Sequence, residues 1–140
     1  MKAIQAVLIV LLSLHLFSCS DDKDDSRFSE TSLKQTQWTG TLYKSYTSYG
    51  ESYNYTYKVG VIFYTETEGK TTLTPETSPE KYYESDFKYS IKEKMLNITN
   101  GGDLEGYWLL IESDQGKMIL EQGTGGENAN KKILTLSRVH

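Results

Sequence analysis

Tyr53-Asn54-Tyr55-Thr56-Tyr57-Lys58-Val59-Gly60-Val61-Ile62-Phe63 is the stretch that decides the fold. Tyr53, Tyr55, Tyr57, Val59, Val61 and Phe63 share one parity, and Asn54, Thr56, Lys58 and Gly60 share the other. Successive side chains of a strand point to opposite faces, so alternation this long predicts a strand with one buried face. Gly60 is expected to mark a bend or bulge within it.

Working outward, the same period recurs between clusters of Gly, Asn, Asp and Ser. Upstream, Thr36 to Thr47 forms a run with Trp38, Gly40 and Leu42 on one face, and Ser48-Tyr49-Gly50 is a turn. Downstream come a short run from Lys70 to Thr74 ended by Pro75, then Phe87, Tyr89 and Ile91 alternating with polar residues. A tight turn at Glu93-Lys94 leads into Met95 to Thr99, with Leu96 and Ile98 on one face. After the loop Asn100-Gly101-Gly102-Asp103, Gly106 to Ser113 is apolar on both faces. If Leu109 and Ile111 face inward, Trp108 faces outward and suggests a partner-binding patch; a slip of one residue buries it. Lys117 to Gln122 and Lys131 to Val139 complete the set, separated by a Gly/Asn loop at 123–130, with Leu134 and Leu136 inward. No long window repeats apolar residues at helical spacing. Eight strands with hairpin-length links predict an all-β fold, an antiparallel up-and-down barrel or a sandwich. The barrel is preferred because closure removes both exposed edges.

The N-terminus gives an address. Lys2 precedes an apolar run from Ala3 to Leu12, followed by Ser13-Leu14-His15-Leu16-Phe17, the layout of a secretory signal. The run falls short of the roughly 20 apolar residues a membrane span needs. Leu16-Phe17-Ser18-Cys19 resembles the lipobox of bacterial lipoproteins. The resemblance implies cleavage after Ser18, a thioether-linked diacylglycerol on Cys19 and an acylated new amino terminus. Two or more acyl chains anchor stably where one does not, so outer-membrane lipid is an expected partner. Ser20-Asp21-Asp22-Lys23-Asp24-Asp25 reads as a solvated acidic tether, and it resembles the surface-export signal of some Gram-negative lipoproteins. The expected organisation is a signal peptide (1–18), a lipidated tether (19–32) and one barrel domain (33–140), on an outer-membrane lipoprotein exported to the cell surface.

The folded part is similar to the lipocalin-like domains of small bacterial surface lipoproteins. Trp38-Thr39-Gly40, Phe87-Lys88-Tyr89, Gly106-Tyr107-Trp108 and Leu134-Thr135-Leu136-Ser137-Arg138 carry the resemblance, which spans 33–140. It implies that Trp38, on the first strand, packs under Arg138, on the last, and closes the barrel bottom. A guanidinium over an indole contributes about 0.5–1 kcal/mol when exposed and more when desolvated.

Composition restricts the chemistry. Lys and Arg number 15 against 19 Asp and Glu, net −4, and loss of Lys2 with the leader adds one more negative charge. Nothing is basic enough to attract nucleic acid. With Cys19 acylated there is no free thiol, and His140 is the one histidine beyond the leader. No nucleophilic triad can be assembled, no metal cluster is present, and no cofactor is expected. Glu66 with Glu68, and Glu84 with Asp86, are carboxylate pairs two residues apart; an outward polar face explains them better than a glycosidase pair. Gly123-Thr124-Gly125-Gly126 precedes a strand rather than a helix, so it reads as a hairpin loop and not a phosphate cradle.

Seven of the eleven tyrosines fall between residues 43 and 64. Tyrosine offers an apolar face and a hydroxyl, and it also simply suits strands. Tyr43, Tyr53, Tyr55, Tyr57, Tyr89 and Tyr107 are the candidates to line a ligand site. Three functions follow. The first is a non-enzymatic barrel holding a small apolar molecule or a glycan. The second is a filled barrel acting on a protein partner through its outer face, as an accessory or inhibitor lipoprotein. The third is a hydrolase, which needs two buried or pKa-raised carboxylates in one cleft.

Overall fold

The computed structural model describes residues 28–114, 116–124 and 130–140. The signal peptide, Cys19, the acidic run and Gly125-Gly126 lie outside the described residues. Eight antiparallel strands close into an up-and-down barrel in the order of the sequence. They are β1 (Thr36–Ser48), β2 (Glu51–Phe63), β3 (Glu68–Pro75), β4 (Tyr83–Lys92), β5 (Met95–Thr99), β6 (Gly106–Asp114), β7 (Lys117–Thr124) and β8 (Asn130–Val139). A four-residue helix, α1 (Glu30–Leu33), precedes them. Up-and-down connection puts the β1–β2, β3–β4, β5–β6 and β7–β8 links at one end, here the upper, and the other links at the lower end.

The interior is filled by side chains of inward parity. Leu42, Val59, Val61, Leu73, Leu96, Ile98, Trp108, Leu120, Leu134 and Leu136 are all buried. Phe63, Phe87 and Tyr89 form an edge-to-face cluster with ring centroids 4.9–6.0 Å apart, the arrangement that ring quadrupoles favour. An eight-stranded barrel is just wide enough for its own side chains to fill it. The seam between the first and last strands is tight. A Cβ on Gly40 would stand 1.8 Å from the Thr135 carbonyl oxygen, so glycine at this inward position lets β1 and β8 approach.

The irregularity expected at Gly60 lies elsewhere. Register runs unbroken through Gly60 to both Thr39 and Thr72. The shift falls in β6, between Leu110 and Glu112, so Ile111 is the extra residue. The pairing of β6 with β5, Trp108 opposite the buried Leu96, settles the two-faced apolar run. Trp108 is fully buried, while Leu109 and Ile111 are exposed by 44% and 53%. The outward Trp108 considered from sequence is therefore corrected: it is a core residue, and its apolar neighbours take the outer face.

Each end carries a covering segment. At the lower end, Ser29 and Ser32 form a reciprocal cap on α1 and Leu33 is buried. The Trp38 indole donates to Thr36 Oγ1 at 2.8 Å, and the Thr36 hydroxyl donates to the Leu33 carbonyl. The Ile91 amide donates to the Glu30 carboxylate at 2.7 Å. The sequence places residues 28–32 in the tether, yet these contacts make them part of the folded unit. Local pattern could not reveal this, because the partners lie on β1 and β4.

At the upper end, the β5–β6 link folds over the mouth as a short 3-10 turn (Gly102–Leu104). Leu104 is fully buried, and its carbonyl accepts the Trp108 indole N–H at 2.7 Å. Gln122 Nε2 donates to the Glu105 carbonyl at 3.1 Å. A plug of this kind satisfies buried backbone groups while occluding the barrel.

Candidate functional site

The plug covers the upper mouth, and the strands that rise beside it stand above. β3 leaves the barrel at Pro75, level with Tyr57. β1 and β2 continue upward to Ser48 and Glu51, and β8 accompanies β1 as far as Tyr46 opposite Asn130. One wall is therefore taller than the rest. Its inner face, fixed by the parity of Leu42 and Val59 below, carries Lys44, Tyr46, Tyr53, Tyr55, Tyr57 and Lys132.

Three of these rings stack. Tyr46 lies against Tyr53, with centroids 5.0 Å apart and planes 19° from parallel, and against Tyr55 at 6.0 Å and 15°. Tyr46 thus stacks on two rings that remain part-exposed; Tyr53 and Tyr55 are 37% and 45% exposed. The Tyr53 hydroxyl donates to the Glu51 carboxylate at 2.7 Å, which raises the Tyr53 pKa. A hydrogen bond with Tyr55 does the same for Tyr46. Both phenols stay protonated donors near neutral pH. Below the stack, the Lys44 ammonium lies 5.7 Å from the centroid of the Tyr57 ring.

The floor of this ledge is the plug. Lys44 Nζ meets Asp103 Oδ1 at 2.9 Å, and Lys132 Nζ donates to the Asp103 carbonyl, also at 2.9 Å. Burial first, then the Lys44 charge, hold the Lys132 ammonium below the ordinary lysine pKa.

The sequence candidates divide accordingly. Tyr53, Tyr55 and Tyr57 come together on the ledge. Tyr89 does not reach it: the ring is in the core, and its hydroxyl donates to the Thr65 carbonyl at the lower end. Tyr43 and Tyr107 point to the outer face, Tyr43 bonding Asn54 across the hairpin at 3.0 Å. Neither lines a site with Tyr53, Tyr55 and Tyr57. Sequence reasoning missed Tyr46, Lys44 and Lys132. The signal was available, since Lys44 and Tyr46 share the parity of Leu42, and Lys132 shares that of Leu134.

Trp38 and Arg138 are direct cross-strand partners on β1 and β8. Both line a cavity of about 470 Å³ at the lower end, together with Phe28, Leu33, Met118 and His140. The indole N–H goes to Thr36, and the cation–π contact found among the described residues is the Lys44–Tyr57 one.

The carboxylate pairs belong to the outside. Lys70 lies 2.6 Å from Glu84 and 3.9 Å from Asp86 on the outer face. Its hydrogen bond to Glu84 lowers the Glu84 pKa, the opposite of what a general acid requires. Glu66 pairs with Lys34 at 3.3 Å.

A second surface feature lies around β6. Met95, Tyr107, Leu109 and Ile111 are all exposed and line an open groove of about 940 Å³ with Gln122 and Lys131.

No family model matches the chain, and no curated protein or solved structure matches it significantly.

Proposed function

We propose that this chain is a membrane-anchored lipoprotein whose barrel is a non-enzymatic, lipocalin-like binding module, and that the tyrosine ledge takes a glycan. The observation that carries this reading is the stack of Tyr46, Tyr53 and Tyr55 above a closed mouth. Aromatic rings offer flat apolar area to the C–H faces of sugars, and phenol oxygens at their rim accept from sugar hydroxyls. The filled interior favours this surface site over an enclosed apolar cavity. Closed eight-stranded up-and-down topology supports the lipocalin-like resemblance.

The anchor suits the geometry. Phe28 lines the lower cavity, so an acylated Cys19 is separated from the lower end by a chain of at most about 30 Å. The ledge, at the opposite end, then faces away from the membrane.

The mature chain with Cys19→Ser, made soluble, is screened against immobilised oligosaccharides and the hits are measured by calorimetry. Tyr46→Ala and Tyr55→Ala should each abolish binding, while Leu109→Ser leaves it intact. Binding that survives both tyrosine changes refutes the ledge as the site. In cells, palmitate labelling should be lost in Cys19→Ala.

A protein-partner reading is favoured by one observation, the exposed Met95, Tyr107, Leu109 and Ile111 on the outer wall. Isolated exposed apolar residues are ordinary, but contiguous ones mark contact surfaces. Capture of one specific envelope protein that Leu109→Ser abolishes and Tyr55→Ala does not would support it over the glycan.

A further inference from the structure

The floor of the ledge holds an electrostatic arrangement that the glycan reading alone does not require. Lys44 and Lys132 are direct cross-strand partners on β1 and β8, and both project to the inner face. Like charges directly opposite each other in a sheet are destabilising. One residue, Asp103, bonds them both. Asp103 gives its Oδ1 to Lys44 and only its backbone carbonyl to Lys132. Among the described residues, two ammoniums therefore face one carboxylate, in a site where the Lys44 side chain is 23% exposed. Burial first, and the Lys44 charge second, depress the Lys132 pKa, with Asp103 opposing them. Sequence position ties this floor to the aromatic stack. Lys44 has Tyr55 opposite it on β2 and Lys132 opposite it on β8, and Tyr46 is the next inward residue above it. Stack and cations are thus one strand repeat apart, roughly 7 Å. At the other extreme of the ledge, the Glu51 carboxylate holds the Tyr53 hydroxyl.

We propose that the ledge is specific for an anionic saccharide, whose ring packs on the Tyr46–Tyr53–Tyr55 stack and whose carboxylate or sulfate sits at the Lys44–Lys132 pair. The anion supplies the counter-charge that Asp103 cannot give to both lysines, through charge-assisted hydrogen bonds in a partly desolvated place. Glu51 fixes the direction, because an acidic group at the hairpin tip would be repelled. This inference rests on the glycan reading of the ledge and adds the class of sugar.

The test uses the mature Cys19→Ser chain and three probes of matched length: an oligogalacturonate, a sulfated heparin-derived oligosaccharide and a neutral malto-oligosaccharide. At low salt at least one acidic probe should bind about tenfold more tightly than the neutral one, the size of a single charge-assisted bond. The carboxylated and sulfated arms show which anion the pair prefers. Lys132→Met and Lys44→Gln should each close that gap, whereas Lys58→Met, an exposed outer-face change, should leave it. Added salt should narrow it. Equal affinity for neutral and acidic probes, or an acid preference that survives both inner-face lysine changes, overturns the inference and leaves the tyrosine ledge standing. Acid-specific binding that needs the lysines but ignores Tyr46→Ala and Tyr55→Ala overturns the shared site. Binding of none of the three overturns the sugar-class inference, and the broader screen then decides the ledge alone.

Discussion

Trp108→Phe separates the packing of the plug from its hydrogen bond. In the native protein the buried indole N–H meets the Leu104 carbonyl at 2.7 Å, and both side chains are fully buried. Phenylalanine keeps an aromatic ring on the same inward position of β6 but has no donor. A buried acceptor left unpaired costs about 1–3 kcal/mol. The smaller ring leaves a void that costs of order 1 kcal/mol more. The expected loss is therefore about 3 kcal/mol, a large part of the 5–15 kcal/mol a domain typically has. At the few degrees per kcal/mol usual for a domain near this size, Tm should fall by roughly 10 °C. Urea titration followed by circular dichroism measures the loss, and the fluorescence of the remaining Trp38 reports the lower end separately. Hydrogen exchange should quicken at 102–105 well before it does in the lower half of β2, because the Leu104 contact holds the plug while β2 lies in two ladders. A loss under about 1 kcal/mol with an unchanged denaturant slope would refute the assignment of Trp108 as the anchor of the plug. So would uniform loss of protection across all strands.

Gly40→Ala should cost of order 3 kcal/mol or more, because the added Cβ meets the backbone of β8 and the seam must part. Gly60→Ala is the control: its Cβ meets the Thr72 hydroxyl at 2.7 Å, a side chain free to turn, so thermal melts should show a much smaller drop. Tyr89→Phe addresses pH. Burial, followed by the Glu30 and Glu66 charges, pushes the Tyr89 phenol up to about 12. A raised folded-state pKa gives stability that is complete below the unfolded value near 10 and is lost as pH rises towards 12. The stability advantage of the native protein over Tyr89→Phe should therefore shrink between about pH 10 and pH 12; a constant gap across that range in paired urea titrations would contradict it.

Much of this protein is written in period two. The parity of Tyr53 through Phe63 determines one face of β2, and the bounds expected for Met95 to Thr99 are those of β5. Gly50 suits the positive φ that its tight reversal requires, whereas Tyr49 and Glu93 take positive φ against the preference of L side chains, so pairing of the flanking strands imposes it there. The number of strands and their nearest-neighbour order follow from the short links. Other features were beyond the sequence because period two says which residues share a face, not how high one strand rises beside the next. The run Tyr107 to Ile111 is apolar on both parities, so only its register against Leu96 on β5 and the packing of Leu104 decide that Trp108 goes in. The tall β1–β2 wall arises because β3 departs at Pro75, and this turns Tyr53 and Tyr55 from barrel filling into an open ledge. Lys44, Asp103 and Lys132 are far apart in the chain. They meet because closure lays β8 against β1 and the β5–β6 link folds across the mouth, a result of register around the whole barrel that no local stretch encodes.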